Sequence, residues 1–380
     1  MKILLLFLTI LLSACSVSTQ THTINYPNTA SKMTFAEDFF VDEVKSCGAS
    51  KVTDDKLNYV QGLIGIDPTE LYNSTSLTVN WNYIGDRVLT NLDMAYYVAS
   101  NKDEVGAIKL LQIIEDAADT NLFYDWENWQ DVAGQSCWKG PDGKCAYHHP
   151  EFATQAFVGM MLTAIVLEEY IWPEQKQKFD KYFAKMYKRF IFPQAFNDWS
   201  TGFYAGANGG LGNLAYARWT RDEFLFNKEI KYRKHIIRKH FRKDGWIENN
   251  SWRGNRDYWY HTLGVDAVLG YMLIARSNGV NLFDDPKIGP LVYASVEKTV
   301  LGNVSLAEFS KKGYKGKNHI KGKKDARPHM HQEATNVVEI IKNEYGVSIT
   351  PRPEYFQRQN GQIMINSTMG FNASCYYKSK

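Results

Sequence analysis

The stretch ENNSWRGNRDYWYHTLG, from Glu248 to Gly264, combines guanidinium, amide, phenol and imidazole groups within seventeen residues. A surface loop would not need so many rings, and a plain core helix would have to pair its arginines. If a helix runs through the stretch, Tyr260 and Gly264 each lie within about 20° of Arg253 on its surface. Arg256 lies on the next flank. This spacing brings a guanidinium close to a phenol, which suits a catalytic site and a structural network equally well.

The identity of these residues adds to what their spacing indicates. The run Arg253–Arg256, with the sequence RGNR, followed by Tyr260 and His261, resembles the alginate lyase superfamily. Members of that family are polysaccharide lyases with an (α/α) toroid fold, in which an arginine and a tyrosine seven residues apart form part of the catalytic centre. The resemblance implies that Arg253 and Tyr260 are catalytic. It implies no redox cofactor, and its mechanism requires no metal ion.

The reaction implied by the resemblance is β-elimination on a polyuronate such as alginate or glucuronan. A lyase of this kind removes the proton from C5 of the uronic acid and expels the oxygen on C4. Cations and amide donors must stabilise the charge that develops on the substrate. A free tyrosine has a pKa of about 10, so a nearby arginine is needed to favour the phenolate. We expect Tyr260 to accept the C5 proton and to return a proton to the leaving oxygen.

The chain departs from the family pattern upstream of the arginine. Well-known members carry an Asn-Asn-His run there, whereas this chain has GANGGLGN, from Gly206 to Asn213, without a histidine. Asn208 is expected to neutralise the substrate carboxylate, with Asn213 as a second choice. The alternative interpretation of Asn208 is a turn residue among glycines.

Histidines elsewhere are candidates for the missing imidazole. His148 or His149 could be the second base or could bind the substrate carboxylate, because both precede a strongly helical run; His148 is taken as the catalytic candidate and His149 as the substrate contact. Capping or loop packing fits each of them as well. A basic loop, Lys311–Lys324, precedes another polar cluster that contains His329; the loop is either a lid over an anionic chain or a solvated insertion. The remaining predicted substrate contacts are Arg256, Asn250 and His261.

Helical periodicity accounts for the elements that must hold these residues. Gly206, Gly209 and Gly210 are predicted to mark a connection, and Asn250 or Ser251 to cap the last helix of the series. Apolar residues recur three and four positions apart over five segments: Tyr83–Ser100, Glu104–Asp116, Glu151–Glu169, Pro173–Phe192 and Arg253–Ser277.

Successive helical hairpins predict a fold dominated by α-helix, an (α/α) toroid or an incomplete barrel. Such folds place one helix of each pair inside and gather functional side chains at one rim. A few short strands are expected near the C-terminus, mainly after Asn303, with Gln362–Asn366 the clearest. A helical-repeat scaffold for protein binding is the alternative, which the lack of a constant repeat period weakens.

The N-terminus indicates export and lipidation. Residues 1–14 are typical of a signal peptide, and Leu12–Cys15, with the sequence LSAC, resembles the lipobox of bacterial lipoproteins. Ser16 resembles the outer-membrane sorting pattern. We therefore expect an outer-membrane lipoprotein facing the periplasm or the cell surface, with a tether at residues 15–32 and a single catalytic domain at 33–380. An ordinary secretory signal is the alternative.

Charge and cysteines give further indications of partners. The net charge is only +3, but residues 228–256 hold ten lysines and arginines and residues 311–327 hold eight. Such clusters suit an anionic polysaccharide, and no nucleic-acid motif appears. We expect a monomer. Cys137 and Cys145 could form a local disulfide, leaving Cys47 and Cys375 as a second pair. Metal binding competes with this reading, but the chain has no CxxC or HExxH motif.

Two other functions remain open at this stage. An α/α-barrel glycoside hydrolase would use paired carboxylates, with Glu248 and Asp257 as first candidates and Asp198 or Asp222 as partners. Their arginine-rich surroundings suit a general acid poorly. A glycan-binding lipoprotein without catalysis is the third possibility.

Overall fold

The protein is described by a computed structural model that covers residues 51–67, 69–74, 78–79, 81–122, 129–132, 135–139, 142, 145–146, 149–192, 203–248, 250–251, 257–305, 308–309 and 338–347. The chain divides into two compact units, Met1–Met33 and Thr34–Lys380, and every described residue lies in the second. The predicted signal peptide, Cys15 and the strand at Gln362–Asn366 lie outside the described residues.

Helices dominate the described part of the chain. In chain order they are α1 (Asp54–Gln61), α2 (Trp81–Asn101), α3 (Glu104–Asp119), α4 (His149–Val166), α5 (Pro173–Met186), α6 (Phe203–Thr220), α7 (Glu223–His240), α8 (Asp257–Ser277), α9 (Gly289–Val304) and α10 (Val338–Tyr345). A 3₁₀ turn covers Glu168–Tyr170, and a π-helical turn, Tyr187–Ile191, continues α5.

Short antiparallel strands form two small sheets between the early helices. Strands β1 (Tyr72–Asn73) and β2 (Thr78–Val79) pair with each other, and β3 (Trp129–Val132), β4 (Gln135–Lys139) and β5 (Cys145–Ala146) pair in that order. Cys145 lies opposite Lys139, on the strand next to the one that holds Cys137. A disulfide between the two cysteines stays a prediction.

Ring contacts show that α6 runs antiparallel to α5 and its π-helical extension. Phe183 meets Trp219 with ring centroids 5.2 Å apart, and Tyr187 stacks on Tyr216 at 3.9 Å. The partner numbers fall as the chain numbers rise. Short connections of two residues between α2 and α3 and between α6 and α7 produce the same kind of hairpin.

The first helix of each hairpin lies in an inner row. Helix α2 packs against α4, α4 against α6, and α6 against α8. A Cβ on Gly159 would lie 2.3 Å from Val88, and one on Gly212 would lie 3.0 Å from Val158, so the inner helices meet at similar heights along their lengths. Because each pair of inner neighbours is separated by one antiparallel outer helix, the inner helices run parallel.

Burial separates this inner row from the outer helices. In α4 every residue from Ala156 to Val166 is buried, which fits a helix covered on all sides. The outer helix α5 buries only one stripe and reaches α3 through its polar side, where Lys178 pairs with Glu115 at 2.7 Å and Asp119 at 2.8 Å. The paired layers are the architecture expected of helical hairpins.

One local expectation needs correction, because Gly206, Gly209 and Gly210 lie inside α6 and form no connection there. The described strands lie between Tyr72 and Ala146. Most of the chain after Asn303 lies outside the described residues, so strands there stay a prediction. Helix α8 is described from Asp257, and its predicted start at Arg253 also lies outside the described residues. Among the described residues, none of the helices combines the length and the apolar character needed to span a membrane.

Candidate active site

The first turns of the inner helices carry several of the predicted site residues. His149 is the first residue of α4, Asn208 lies in the second turn of α6, and Tyr260 lies in the first turn of α8. Because these helices run parallel, their N-terminal ends lie at one rim of the fold. The layout of the helices therefore brings these three positions to the same end of the molecule.

Other predicted residues lie outside the part of the chain that the structure describes. These are Arg253, Arg256, His148, His329 and, among the hydrolase candidates, Asp198. For Asn208 and His149 the structure describes the helical backbone but not the side chain. The contacts of these residues with Tyr260 stay predictions.

Tyr260 is partly exposed, and its backbone carbonyl accepts a hydrogen bond from a buried side-chain amide. The side-chain Nδ2 of Asn250 donates to the backbone carbonyl of Tyr260 at 2.8 Å, and Asn250 is 0% exposed. A Cβ on Gly264 would lie 2.7 Å from the same Nδ2. Asn250 is thus tied to the backbone of α8, which does not fit its predicted roles as a substrate contact or a helix cap.

His261 follows Tyr260 in sequence but lies in the core. Its Nδ1 is 2.8 Å from Ser251 Oγ and its Nε2 is 2.9 Å from the carbonyl of Ser295 on α9. Burial lowers the pKa of His261 to about 4, against a raising effect of the bond to Ser295, and Lys298 lowers it further. A fully buried, neutral imidazole does not fit the predicted substrate contact.

Asn213 is also buried, and it belongs to an ion-pair network. Its Nδ2 donates to Glu229 Oε2 at 2.7 Å, and Arg233 Nε donates to the other oxygen of Glu229 at 2.9 Å. Positions 208 and 213 lie about 140° apart around the axis of α6. Asn213 therefore does not fit the predicted second choice for a substrate amide.

Burial raises the pKa of Glu229, while the charge of Arg233 and the hydrogen bond from Asn213 lower it. This network was not predicted from the sequence. A signal was present in the Glu229–Arg233 spacing of four residues, but that spacing is typical of exposed helical pairs as well.

The described carboxylates that were candidates for a hydrolase mechanism lie in positions typical of residues that stabilise the fold. Asp222 caps α7 by accepting from the backbone N–H of Leu225 at 2.9 Å. Glu248 is paired with Arg242 at 3.5 Å, and Asp257 is buried in the first turn of α8. No cluster of histidine, cysteine, aspartate and glutamate among the described residues has the arrangement of a metal site.

Comparison with known protein families gives a match over part of the chain. Residues 206–296, from within α6 to within α9, match the family model "Alginate lyase". The predicted resemblance to the alginate lyase superfamily is confirmed. No curated protein sequence matches the chain.

Two solved structures share the fold. An alginate lyase from Bacteroides ovatus aligns with a TM-score of 0.54 at 13% identity, over 78% of this chain and 76% of that one. Alginate lyase A1-III from Sphingomonas species A1 aligns with a TM-score of 0.57 at 11% identity, over 89% of this chain and 97% of that one. The predicted (α/α) toroid is confirmed, and the family match supports the predicted enzyme class, a polysaccharide lyase.

Proposed function

We propose that the protein is a polysaccharide lyase that cleaves a polyuronate, alginate or a related polymer such as glucuronan, by β-elimination. The observation that carries the proposal is the position of Tyr260. It is a partly exposed phenol in the first turn of an inner helix, inside the segment that matches the alginate lyase family. His149 in the first turn of α4 and Asn208 in the second turn of α6 lie toward the same rim.

Each residue has a role in the proposed mechanism. Arg253 and Asn208 neutralise the carboxylate beside C5, and Tyr260 as phenolate takes the C5 proton. The electron pair of the C5–H bond forms the C4–C5 double bond as the C4–O bond breaks. The phenol then returns its proton to the leaving oxygen. His148 is the second base for the sugar whose proton and leaving group lie on opposite faces.

The helical layout supports an anionic substrate. Each helix N-terminus carries a partial positive charge, equivalent to roughly half an elementary charge, from its unpaired N–H groups. The four parallel inner helices of the described chain direct these ends toward one rim. A chain of carboxylates is stabilised there, with Arg256 and His329 as proposed further contacts.

The reaction class is tested by following the product. Purified protein is incubated with alginate, glucuronan and other polyuronates, and ultraviolet absorbance is recorded together with new reducing ends. A lyase raises both signals, because each cleavage leaves a C4–C5 double bond. New reducing ends without absorbance would indicate a hydrolase. Polymer binding without any cleavage would indicate a glycan-binding protein.

The role of Tyr260 is tested by removing its hydroxyl group. Tyr260→Phe is expected to lower kcat by at least about 100-fold, since general acid–base steps contribute about 10²–10⁴-fold, while polymer affinity is retained. Tyr258→Phe is the matched control in the same turn. Its hydroxyl is buried and donates to the Thr299 carbonyl at 3.0 Å, so its loss affects stability and leaves kcat within about twofold. Equal kcat in both variants would exclude Tyr260 as the base.

We also propose that the enzyme is an outer-membrane lipoprotein that faces the periplasm or the cell surface, anchored through Cys15. The signal-like start of the sequence and the LSAC tetrapeptide support this location.

A further inference from the structure

A short loop after α7, described at residues 246–248 and 250–251, packs on the first turn of α8. The loop is anchored by an isolated bridge between Phe241 and Ile247 and by a hydrogen bond from the N–H of Glu248 to the carbonyl of His240 at 2.8 Å. These contacts tie the loop to the end of α7. The loop therefore transmits the position of the outer helix α7 to the turn that carries Tyr260.

The contact of Asn250 is made to the backbone of the proposed catalytic residue itself. Its Nδ2 donates to the carbonyl of Tyr260, the carbonyl that accepts the helical N–H of Gly264 in a regular α-helix. Gly264 leaves the space that the carboxamide fills, because a Cβ there would lie 2.7 Å from Nδ2 and 3.4 Å from Cγ of Asn250. The carboxamide of Asn250 thus packs against Gly264, one helical turn after Tyr260.

A second set of hydrogen bonds holds the next residue. The Ser295 carbonyl can only accept, so His261 Nε2 carries the hydrogen and Nδ1 accepts from the hydroxyl of Ser251. Ser251 Oγ accepts in turn from the N–H of Ile247 at 2.8 Å. The directions form one consistent chain from the loop through α8 to α9. The turn is consequently fixed against rotation and against movement along the helix axis.

We propose that Asn250 is a positioning residue that sets the orientation of the first turn of α8, and with it the phenol of Tyr260. The inference rests on the proposed lyase function. Residues that orient a catalytic group contribute about 10–100-fold to activity without touching the substrate. Loss of the Asn250 amide lets the turn move, which misplaces the base relative to C5 while leaving most substrate contacts intact.

The test compares two buried asparagines that bond to opposite ends of α8. Asn250 is 0% exposed and bonds to the Tyr260 carbonyl at 2.8 Å; Asn278 is 3% exposed and bonds to the Ile274 carbonyl, also at 2.8 Å. Asn250→Ala is expected to lower kcat by about 10–100-fold with KM within about twofold. Asn278→Ala is expected to leave kcat within about twofold at a similar loss of stability.

A double-mutant cycle separates positioning from general destabilisation. Gly264→Ala displaces the Asn250 amide and is expected to lower kcat like Asn250→Ala. Added to Asn250→Ala, the new Cβ still lies 3.1 Å from Ile247 Cδ1 but no longer displaces the amide, so the two losses in kcat are less than additive. Hydrogen exchange of the amides in the first turns of α8 should accelerate in Asn250→Ala and stay slow in Asn278→Ala.

The outcomes distinguish the two proposals. If wild-type protein yields unsaturated products but Asn250→Ala keeps the kcat of Asn278→Ala, Asn250 has no positioning role and the lyase function stands. Fully additive losses in the cycle would likewise overturn the inference. Wild-type protein that yields no unsaturated product from any polyuronate overturns the proposed function, and the catalytic role of Asn250 with it.

Discussion

Tyr260 and His261 are neighbours in sequence, yet Tyr260 is partly exposed and His261 is buried between α8, α9 and the loop after α7. The imidazole is neutral because the described residues around it offer a carbonyl, a hydroxyl and the rings of Trp246 and Phe309 but no carboxylate contact. His261 contributes to stability through this chain of hydrogen bonds. Protonation of Nδ1 would remove the acceptor that the Ser251 hydroxyl uses.

This environment predicts a pH dependence of stability. Burial lowers the pKa of His261 from 6.5 to about 4. Between about pH 6.5 and pH 4, this histidine is therefore protonated in the unfolded chain but not in the folded chain. The free energy of unfolding therefore falls with decreasing pH across this window, by up to roughly 3 kcal/mol from this residue. Urea unfolding between pH 7 and pH 4.5 measures the fall, and His261→Gln should make it shallower.

His235, on the exposed face of α7, supplies the control for this experiment. His235→Gln removes an imidazole without disturbing the chain through Ser251 and Ser295. If the wild-type and His261→Gln curves run parallel over the whole pH range, the burial of His261 has no effect on proton binding and the prediction is wrong.

The motif around Arg253 predicted the resemblance to alginate lyases, which the family match confirms, but it did not predict which of its polar residues are buried. Helical periodicity places residues on a face and leaves open what covers that face. His261 is covered by Trp246 and Ser251 of the loop after α7 and by Ser295 of α9, and Asn250 packs against Tyr260 and Gly264 of α8. These contacts join separate elements of the fold. A single sequence contains no direct record of such contacts, so both residues were predicted to bind substrate.

At the scale of elements, α6 shows how packing overrides local preference. Its segment GANGGLG has poor helix propensity and predicts a loop. In the structure the glycines admit neighbouring side chains: a Cβ on Gly210 would meet the guanidinium of Arg233, and one on Gly212 would meet Ile191. Close approach of α7 and of the π-helical turn stabilises the helix more than the glycines destabilise it.

A comparison of two helical glycines tests this account. Gly210→Ala is expected to lower the free energy of unfolding by about 1–3 kcal/mol or more, because the buried Arg233 paired with Glu229 has no space to retreat. Gly85→Ala, in the inner helix α2, meets nothing within 4 Å and is expected to raise it by about 0.5–1 kcal/mol. Denaturant unfolding of both variants measures the difference. Equal effects would show that helix propensity alone decides α6.

At the scale of the whole molecule, parallel inner helices follow from the alternation of inner and outer helices, and the hairpin pattern of the sequence was sufficient to predict them. The rim where their N-termini meet was predictable as well. The side chains that complete the rim were predictable only through the resemblance to alginate lyases, because spacing along the chain does not give distances across helices. The small sheets between α1 and α4 were missed, since their strands are two to five residues long and lack a clear alternating pattern.

The proposed anchor makes a prediction about the whole protein. Cys15→Ala removes the only thiol of the LSAC tetrapeptide, so acyl chains cannot be attached and the protein should move from the membrane fraction to the soluble fraction. Each buried methylene of an acyl chain contributes about 0.8 kcal/mol to membrane binding, so the shift is expected to be nearly complete. Labelling with radioactive palmitate, followed by fractionation, measures both effects.

The kcat of the released protein should match the wild type, because every proposed catalytic residue follows residue 147 in the chain. Cys47→Ala serves as the control and should keep both label and location. Palmitate that remains on Cys15→Ala, or a wild-type protein that takes no label, would rule out the anchor while leaving the lyase proposal intact.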